Sequence, residues 1–286
     1  MPTLGTMGTM GTMDTTGIRS TGAVVVVTGA GRGIGAGLAR RFAADGAVGL
    51  VLVDRDGAAV AALADEISGT RPACRTSAAV VDVADPDQVA RLVQSTESTI
   101  GPIDVFVANA GVGAGGGLEA DDSVWRSAWD VNVMAHVYAA RAVVPLMLAR
   151  GGGSFVTTAS AAGLLTNLGN APYSVTKHAA VAFAEWLAVT YGERGLQVAC
   201  VCPMGVDTDM LRDGLDRLEG ASVAAERVLT VPEAADAIVD GLCSGRFLVL
   251  THPETAGYEQ HRVADRDRWI AGMQRVQRTV LERLGG

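Results

Sequence analysis

With 286 residues, 49% of them hydrophobic and 19% charged, the chain is long enough to bury a large core, and its composition excludes a disordered or fibrous protein. Its 31 acidic against 23 basic side chains give a net charge of -8, which repels phosphate polyanions and excludes nucleic acid as an expected partner. Four cysteines without a C-x-x-C spacing exclude a disulfide framework and read as reduced, small residues of a cytoplasmic protein.

The amino terminus carries the tandem Gly5-Thr6-Met7, Gly8-Thr9-Met10, Gly11-Thr12-Met13, with neither the basic start nor the apolar stretch of a secretory signal. Residues 1–20 therefore read as a disordered tail. No apolar run approaches the roughly 20 residues that a membrane helix needs, so no membrane partner is expected. From residue 23, short β-branched apolar runs alternate with longer helix-patterned stretches, the order of βαβ units. Seven such runs, 23–28, 49–54, 77–83, 103–108, 153–158, 196–202 and 246–250, predict an α/β fold: a doubly wound, seven-stranded parallel sheet with helices on both faces. Being apolar nearly throughout, all seven strands are expected to be buried on both sides. Asp85-Pro86 and Val231-Pro232 mark helix starts, where proline suits the first turn. No linker interrupts the series, so 21–250 reads as one domain. Beyond it, Trp269, Ile270, Met273, Val276, Val280 and Leu284 recur at helical spacing, which makes 251–286 a helical extension. Packing on its own subunit is weighed there above a dimer contact or a lid over a substrate.

Directly after the first apolar run stands Thr28-Gly29-Ala30-Gly31-Arg32-Gly33-Ile34-Gly35, followed by a helical pattern. Glycines there permit a tight turn and close backbone approach to a pyrophosphate, and the following helix offers free N–H groups and the positive end of its dipole. Gly29, Gly31, Arg32, Gly33, Ile34 and Gly35 are thus candidate dinucleotide-binding residues. Asp54 ends the second run 19 residues past Gly35, where a carboxylate accepts hydrogen bonds from the adenosine ribose and repels a 2'-phosphate. Arg32 and Arg55 stand nearby and match a phosphate's geometry, but the carboxylate occupies the ribose position itself, so NAD is expected over NADP. Asp82 and Val83 are candidates to flank the adenine, or else turn and cap residues.

Tyr173 and Lys177 lie four apart in a helix-like segment and so project from one face. A phenol titrates near ~10, and a neighbouring ammonium lowers that value toward neutrality. A hydride that leaves a carbinol carbon requires the hydroxyl proton to leave as well, which is work for such an acid/base. The histidines, His136, His178, His252 and His261, show no ligand spacing, and no metal is expected.

The glycine loop, Asn109-Ala110-Gly111, Asn132, Ser160 and the Tyr173/Lys177 pair together resemble the short-chain dehydrogenase/reductase family, in its single-domain Rossmann-type branch, over about residues 23–250. The resemblance implies a catalytic tetrad: Tyr173 exchanges a proton with the substrate oxygen, Ser160 hydrogen-bonds that oxygen, Lys177 lowers the tyrosine pKa and holds the nicotinamide ribose, and Asn132 anchors a water that links Lys177 to solvent. It further implies that Asn109 steadies the sheet beside the cofactor, and that Pro203 and Thr208 approach the nicotinamide. Met204 replaces the glycine usual after that proline. Helices equivalent to 132–149 and 175–194 pair between subunits in the family, which implies a dimer or tetramer.

The expected substrate wall, Ala161, Ala162, Leu164, Leu165, Leu168, Met210, Leu211 and Leu215, is apolar, with only Arg212 and Arg217 nearby, so a neutral, hydrophobic secondary alcohol or ketone is expected. The glycine-rich 111–117 reads as a mobile rim. A non-catalytic NAD-binding regulator or scaffold is the alternative, and an epimerase would need a larger second domain than about 35 residues allow.

Overall fold

The computed structural model describes residues 17–224 and 226–285. The strands are β1 (Val24–Thr28), β2 (Gly49–Asp54), β3 (Arg75–Val80), β4 (Val105–Ala108), β5 (Gly153–Thr158), β6 (Leu196–Cys202) and β7 (Leu248–Leu250). They form one sheet, ordered β3-β2-β1-β4-β5-β6-β7, with every pair parallel. Helices α1 (Gly33–Ala44), α2 (Gly57–Thr70) and α3 (Pro86–Thr99) follow the first three strands. α4 (Asp122–Trp129), a π-helical turn (Asp130–Met134) and α5 (Ala135–Ala149) follow β4; α6 (Ala162–Leu165) and α7 (Ala171–Tyr191) follow β5. α8 (Asp209–Arg212), α9 (Leu218–Ala224) and α10 (Val231–Cys243) lie between β6 and β7, and α11 (Glu254–Ala264) and α12 (Arg266–Gly285) close the chain.

Alternate side chains of one strand serve opposite layers. Val25 and Val27 of β1 join a core with Leu38, Phe42, Leu63 and Ile238 from α1, α2 and α10. Val26, between Val51 and Phe106 in the sheet, joins Leu92, Val143, Met147 and Leu187 from α3, α5 and α7. A parallel sheet needs such two-sided cover, which is why the central strands β1 and β4 carry apolar residues almost without break. Helix starts follow the sequence signals: Asp85 accepts hydrogen bonds from Asp87 N and Gln88 N at the head of α3, and Thr230 and Glu233 form a capping box on α10.

β3 departs from expectation. It ends at Val80; Val81 N still donates to Asp54 O at 3.0 Å, after which Asp82 N donates to Gln88 Oε1 and Ala84 N to Asp82 Oδ1, which builds a turn. As an edge strand it is not buried on both faces, and Val80 is 66% exposed. The continuous helix Asp122–Ala149 corrects a second expectation. It is long and apolar enough by length and composition to cross a membrane, but its apolar side is laid on the sheet through Ala139, Val143 and Met147. Of the tail expected over 1–20, residues 1–16 lie outside the described residues, whereas 17–20 are docked: Ile18 is buried and its N–H donates to Leu242 O at 2.9 Å.

Candidate active site

β1 and β4 are neighbours whose crossovers leave on opposite faces, and the cleft opens beyond the carboxyl ends of these strands, as expected at such a switch point. It is continuous, about 1430 Å3, and lined from Asp54 and Asp82 at one end to α12 at the other.

At the first end the chain makes a cradle. Gly29 has φ +66, and a Cβ there would stand 2.8 Å from Ala110 Cα; a Cβ on Gly35 would overlap the Gly29 carbonyl and lie 2.7 Å from Asn109 Nδ2. Unlike α2, α3 and α10, α1 has no side-chain cap, so its first N–H groups are left for a ligand in the cleft. Asp54 Oδ2 accepts from Gly31 N at 3.0 Å and Oδ1 from Asp56 N at 3.1 Å, which fixes the carboxylate at the mouth of the glycine turn. Asp82 lines the cleft with Val83, its carboxylate accepting from Ala84 N, so the residue serves the turn as well. Asn109 N donates to Thr28 Oγ1 at 2.9 Å and Nδ2 to Thr28 O at 2.9 Å, tying the end of β4 to that of β1. Arg32, Gly33, Ile34, Pro203, Met204 and Thr208 also line the cleft, with Thr208 Cγ2 3.2 Å from where a Cβ of Gly33 would be.

The central residues converge because β5 ends beside the first turns of α7. Asn170 Oδ1 caps that helix by accepting from Tyr173 N at 3.2 Å, a role the Asn-x-x-Tyr spacing shows once the helix start is known. Lys177 is buried, its Nζ donating to Thr158 O at 2.9 Å and standing 5.6 Å from the centre of the Tyr173 ring. Ser160 Oγ accepts from Ala162 N at 3.1 Å. Burial pulls the Lys177 ammonium down to about 8. Burial also pushes the Tyr173 phenol up, with the Ser160 hydroxyl acting against it. The expected lowering of the phenol by lysine is therefore not what dominates here.

Asn132 sits fully buried in the π-helical turn, an irregularity that favours functional positions. Its Oδ1 accepts from Val112 N at 2.9 Å, and its Nδ2 donates to Val112 O at 3.1 Å and Thr176 Oγ1 at 3.2 Å. The glycine-rich stretch 111–117 is thereby tied at Val112, and again where Ala171 N donates to Gly116 O at 3.0 Å. Behind Asn132, His136 is buried with neither ring nitrogen hydrogen-bonded among the described residues; burial, then the Lys177 charge, lowers its pKa to about 3. The described residues hold no cluster of His, Cys, Asp and Glu suited to a metal.

Of the expected wall, Ala161, Ala162, Leu165, Leu168, Met210 and Leu211 line the cleft; Leu164 is buried in the core and Leu215 is 44% exposed, both outside the lining. Thr166 has φ 73, uncommon for a β-branched residue, at the same wall. α12 packs on its own chain and also walls the cleft, the position that the lid alternative gave it: Trp269, Met273, Val276 and Val280 face the cleft, and so do Arg268, Arg275 and Arg283, which the sequence reading did not include. The expectation of neutrality rested on segments around 161–168 and 204–218 alone, and these arginines remove that ground.

Residues 23–218 match the family model for short chain dehydrogenases. A 1-deoxy-11-beta-hydroxypentalenate dehydrogenase from Streptomyces exfoliatus is 36% identical over 233 residues, 80% of this chain and 82% of that protein. A meso-2,3-butanediol dehydrogenase from Serratia marcescens is 34% identical over 79% of this chain and 89% of its own. Among solved structures, a short chain dehydrogenase/reductase from Burkholderia phymatum in complex with NAD superposes with a TM-score of 0.80 at 28% identity, covering 87% of this chain and 96% of that one. L-sorbose reductase from Gluconobacter frateurii, complexed with NADPH and L-sorbose, gives 0.72 at 31% identity, covering 81% and 94%.

Proposed function

The chain belongs to the short-chain dehydrogenase/reductase family of oxidoreductases acting on alcohols and ketones, and from that premise we propose that it moves a hydride between NAD(H) and an apolar secondary alcohol or ketone, with Tyr173 as acid/base. The observation that carries this reading is one cleft that joins a glycine cradle, an uncapped helix start and the Asp54 carboxylate to a phenol backed by a buried lysine. The residues fit a dinucleotide: the cradle has no room for side chains, and Asp54 suits ribose hydroxyls better than a ribose phosphate. Bound there, the nicotinamide supplies the hydride donor or acceptor.

In the direction of reduction, Tyr173 gives its hydroxyl proton to the substrate oxygen while Ser160 donates a hydrogen bond to the same oxygen. A phenol held above its ordinary range keeps that proton at neutral pH and is ready as a donor. Lys177, close to the ring and charged below about pH 8, stabilises the phenolate left behind. Asn132 holds the backbone that faces the lysine. Apolar residues over the substrate side exclude water and favour a hydrophobic body.

We further propose that two copies pair through α4, α5 and α7, whose Trp129, Leu146, Val175, Trp186 and Val189 are between 40% and 84% exposed. The molar mass in solution tests that; a monomer contradicts it. We also propose a cytoplasmic location, a reading that the four free cysteines suit, Cys74, Cys200 and Cys202 buried and Cys243 exposed. The reaction is tested by nicotinamide absorbance with NADH and NADPH over a panel of cyclic ketones and alcohols. Turnover with NADH at least tenfold more efficient than with NADPH is expected; binding of NADH with no turnover on any member contradicts the reading.

A further inference from the structure

Resting on that reading of the site, we propose that the arginines of α12 receive a carboxylate of the substrate, so that the molecule turned over is an apolar hydroxy or oxo acid whose carboxylate lies remote from the reacting carbon. The helix that covers the substrate end of the cleft does not present an apolar face alone. Trp269, Met273, Val276 and Val280 form its apolar stripe, and Arg268 and Arg275 flank that stripe on the cleft side. The two lie two turns apart, about 10 Å along the axis. Between them is Gly272, where an added Cβ would meet nothing closer than an Arg275 nitrogen at 3.8 Å, so the space between the two guanidinium groups is open.

Neither arginine side chain forms an ion pair or hydrogen bond among the described residues, and the same holds for Arg283 further along the helix. Arg217, also on the cleft wall, is by contrast paired with Glu219 at 2.8 Å. The acids facing α12 are also mostly engaged. Asp265 accepts from Arg268 N at 2.9 Å as the helix cap, and Glu226 accepts from the Tyr258 hydroxyl at 3.4 Å. Asp213 is the remaining carboxylate of that end of the cleft. Guanidinium groups that have no ion pair, set over a wall of Leu165, Leu168 and Met210, describe a ligand with an apolar body and an anionic end. A guanidinium fork matches a carboxylate in two parallel hydrogen bonds, which a lysine would not do.

The test uses an oxocyclohexyl-substituted benzoic acid and its methyl ester, a pair that differ by one charge. Their binding to the NADH-loaded full chain is measured by calorimetry in the parent protein and in Arg268→Gln, Arg275→Gln and the double variant. Glutamine keeps a comparable helix propensity, and both sites are exposed, so the fold is retained. The acid is expected to bind at least tenfold tighter than the ester, with a preference that weakens as salt is raised and falls to about onefold in the double variant. Equal binding of acid and ester, binding of neither, or a preference that survives the double variant overturns the proposal. So does a loss that falls on NADH affinity instead, since the arginines would then serve the cofactor. Reduction of the ester, lost in Tyr173→Phe, reports on the reaction separately: turnover without acid preference refutes the arginines alone, and acid preference without turnover refutes the reaction alone.

Discussion

Replacing Asn132 with alanine removes an amide that holds the surroundings of Lys177 in place, and the structure gives the size of the effect. The side chain is fully buried, and its two hydrogen bonds to Val112 occupy both the N–H and the carbonyl of that residue. Thr176 keeps other partners, since its Oγ1 also donates to Pro172 O or Tyr173 O. Two partly buried backbone groups therefore lose their partner, each at the low end of the cost of an unsatisfied group, about 1 kcal/mol, and a small cavity adds to that. A loss of about 2–3 kcal/mol lowers the melting temperature of a chain of this size by roughly 5–10 °C. Function should fall further than stability. A Cβ at Gly111 would lie 3.2 Å from Asn132 Oδ1 and 3.4 Å from Lys177 Nζ, so the backbone that Asn132 ties down is the backbone facing the lysine. Turnover is expected to drop at least tenfold while NADH affinity changes less than threefold. Asn132→Asp does not rescue, because it turns an acceptor toward the Val112 carbonyl. Thermal melts and steady-state rates on the three proteins check this. An alanine variant that melts within 1 °C of the parent and turns over normally refutes the reasoning.

Gly35→Ala places a methyl group against the Gly29 carbonyl, which is backbone, and against Asn109 Nδ2, which Thr28 O holds at 2.9 Å, so NADH affinity measured by fluorescence titration should fall at least tenfold. Asp54→Ala removes the carboxylate between exposed Arg32 and Arg55, and the ratio of NADPH to NADH efficiency should rise at least tenfold in paired assays. Lys177, with a folded value of about 8 against 10.5, binds its proton less well folded than unfolded, so its burial destabilises the fold at pH 7 and this effect is relieved as pH rises from about 8 to 10.5. The stability difference between parent and Lys177→Met should therefore shift toward the parent across that window, by on the order of 3 kcal/mol in denaturant titrations. A flat difference contradicts the burial argument.

Central strands were legible because a parallel sheet covered on both faces demands apolar residues without alternation, and β1, β2 and β4 come near that demand. β3 was not read to its true end: at the edge a strand answers to one core face, and the Asp82 and Gln88 side chains, which no periodicity marks, take over its backbone. The glycine cradle and Asp54 were legible because close approach to a dinucleotide leaves few residue choices. The direction of the Tyr173 shift was not, since spacing along a helix shows a neighbouring lysine but not how deeply both are buried. α12 illustrates the same limit. Its apolar stripe was plain at Trp269, Met273, Val276 and Val280, but a stripe says only that something is covered, and which cleft it covers, with which arginines beside it, depends on how α12 meets α9 and α11.

The central claim is that Tyr173 handles the substrate proton at a site that binds NADH without its help. Measuring NADH affinity and turnover side by side in Tyr173→Phe tests it most directly, since the phenylalanine keeps the ring and removes only the hydroxyl. We predict NADH binding within a few-fold of the parent and turnover reduced at least a thousandfold at every pH. Turnover within tenfold of the parent would contradict the assignment and require another group to carry the proton.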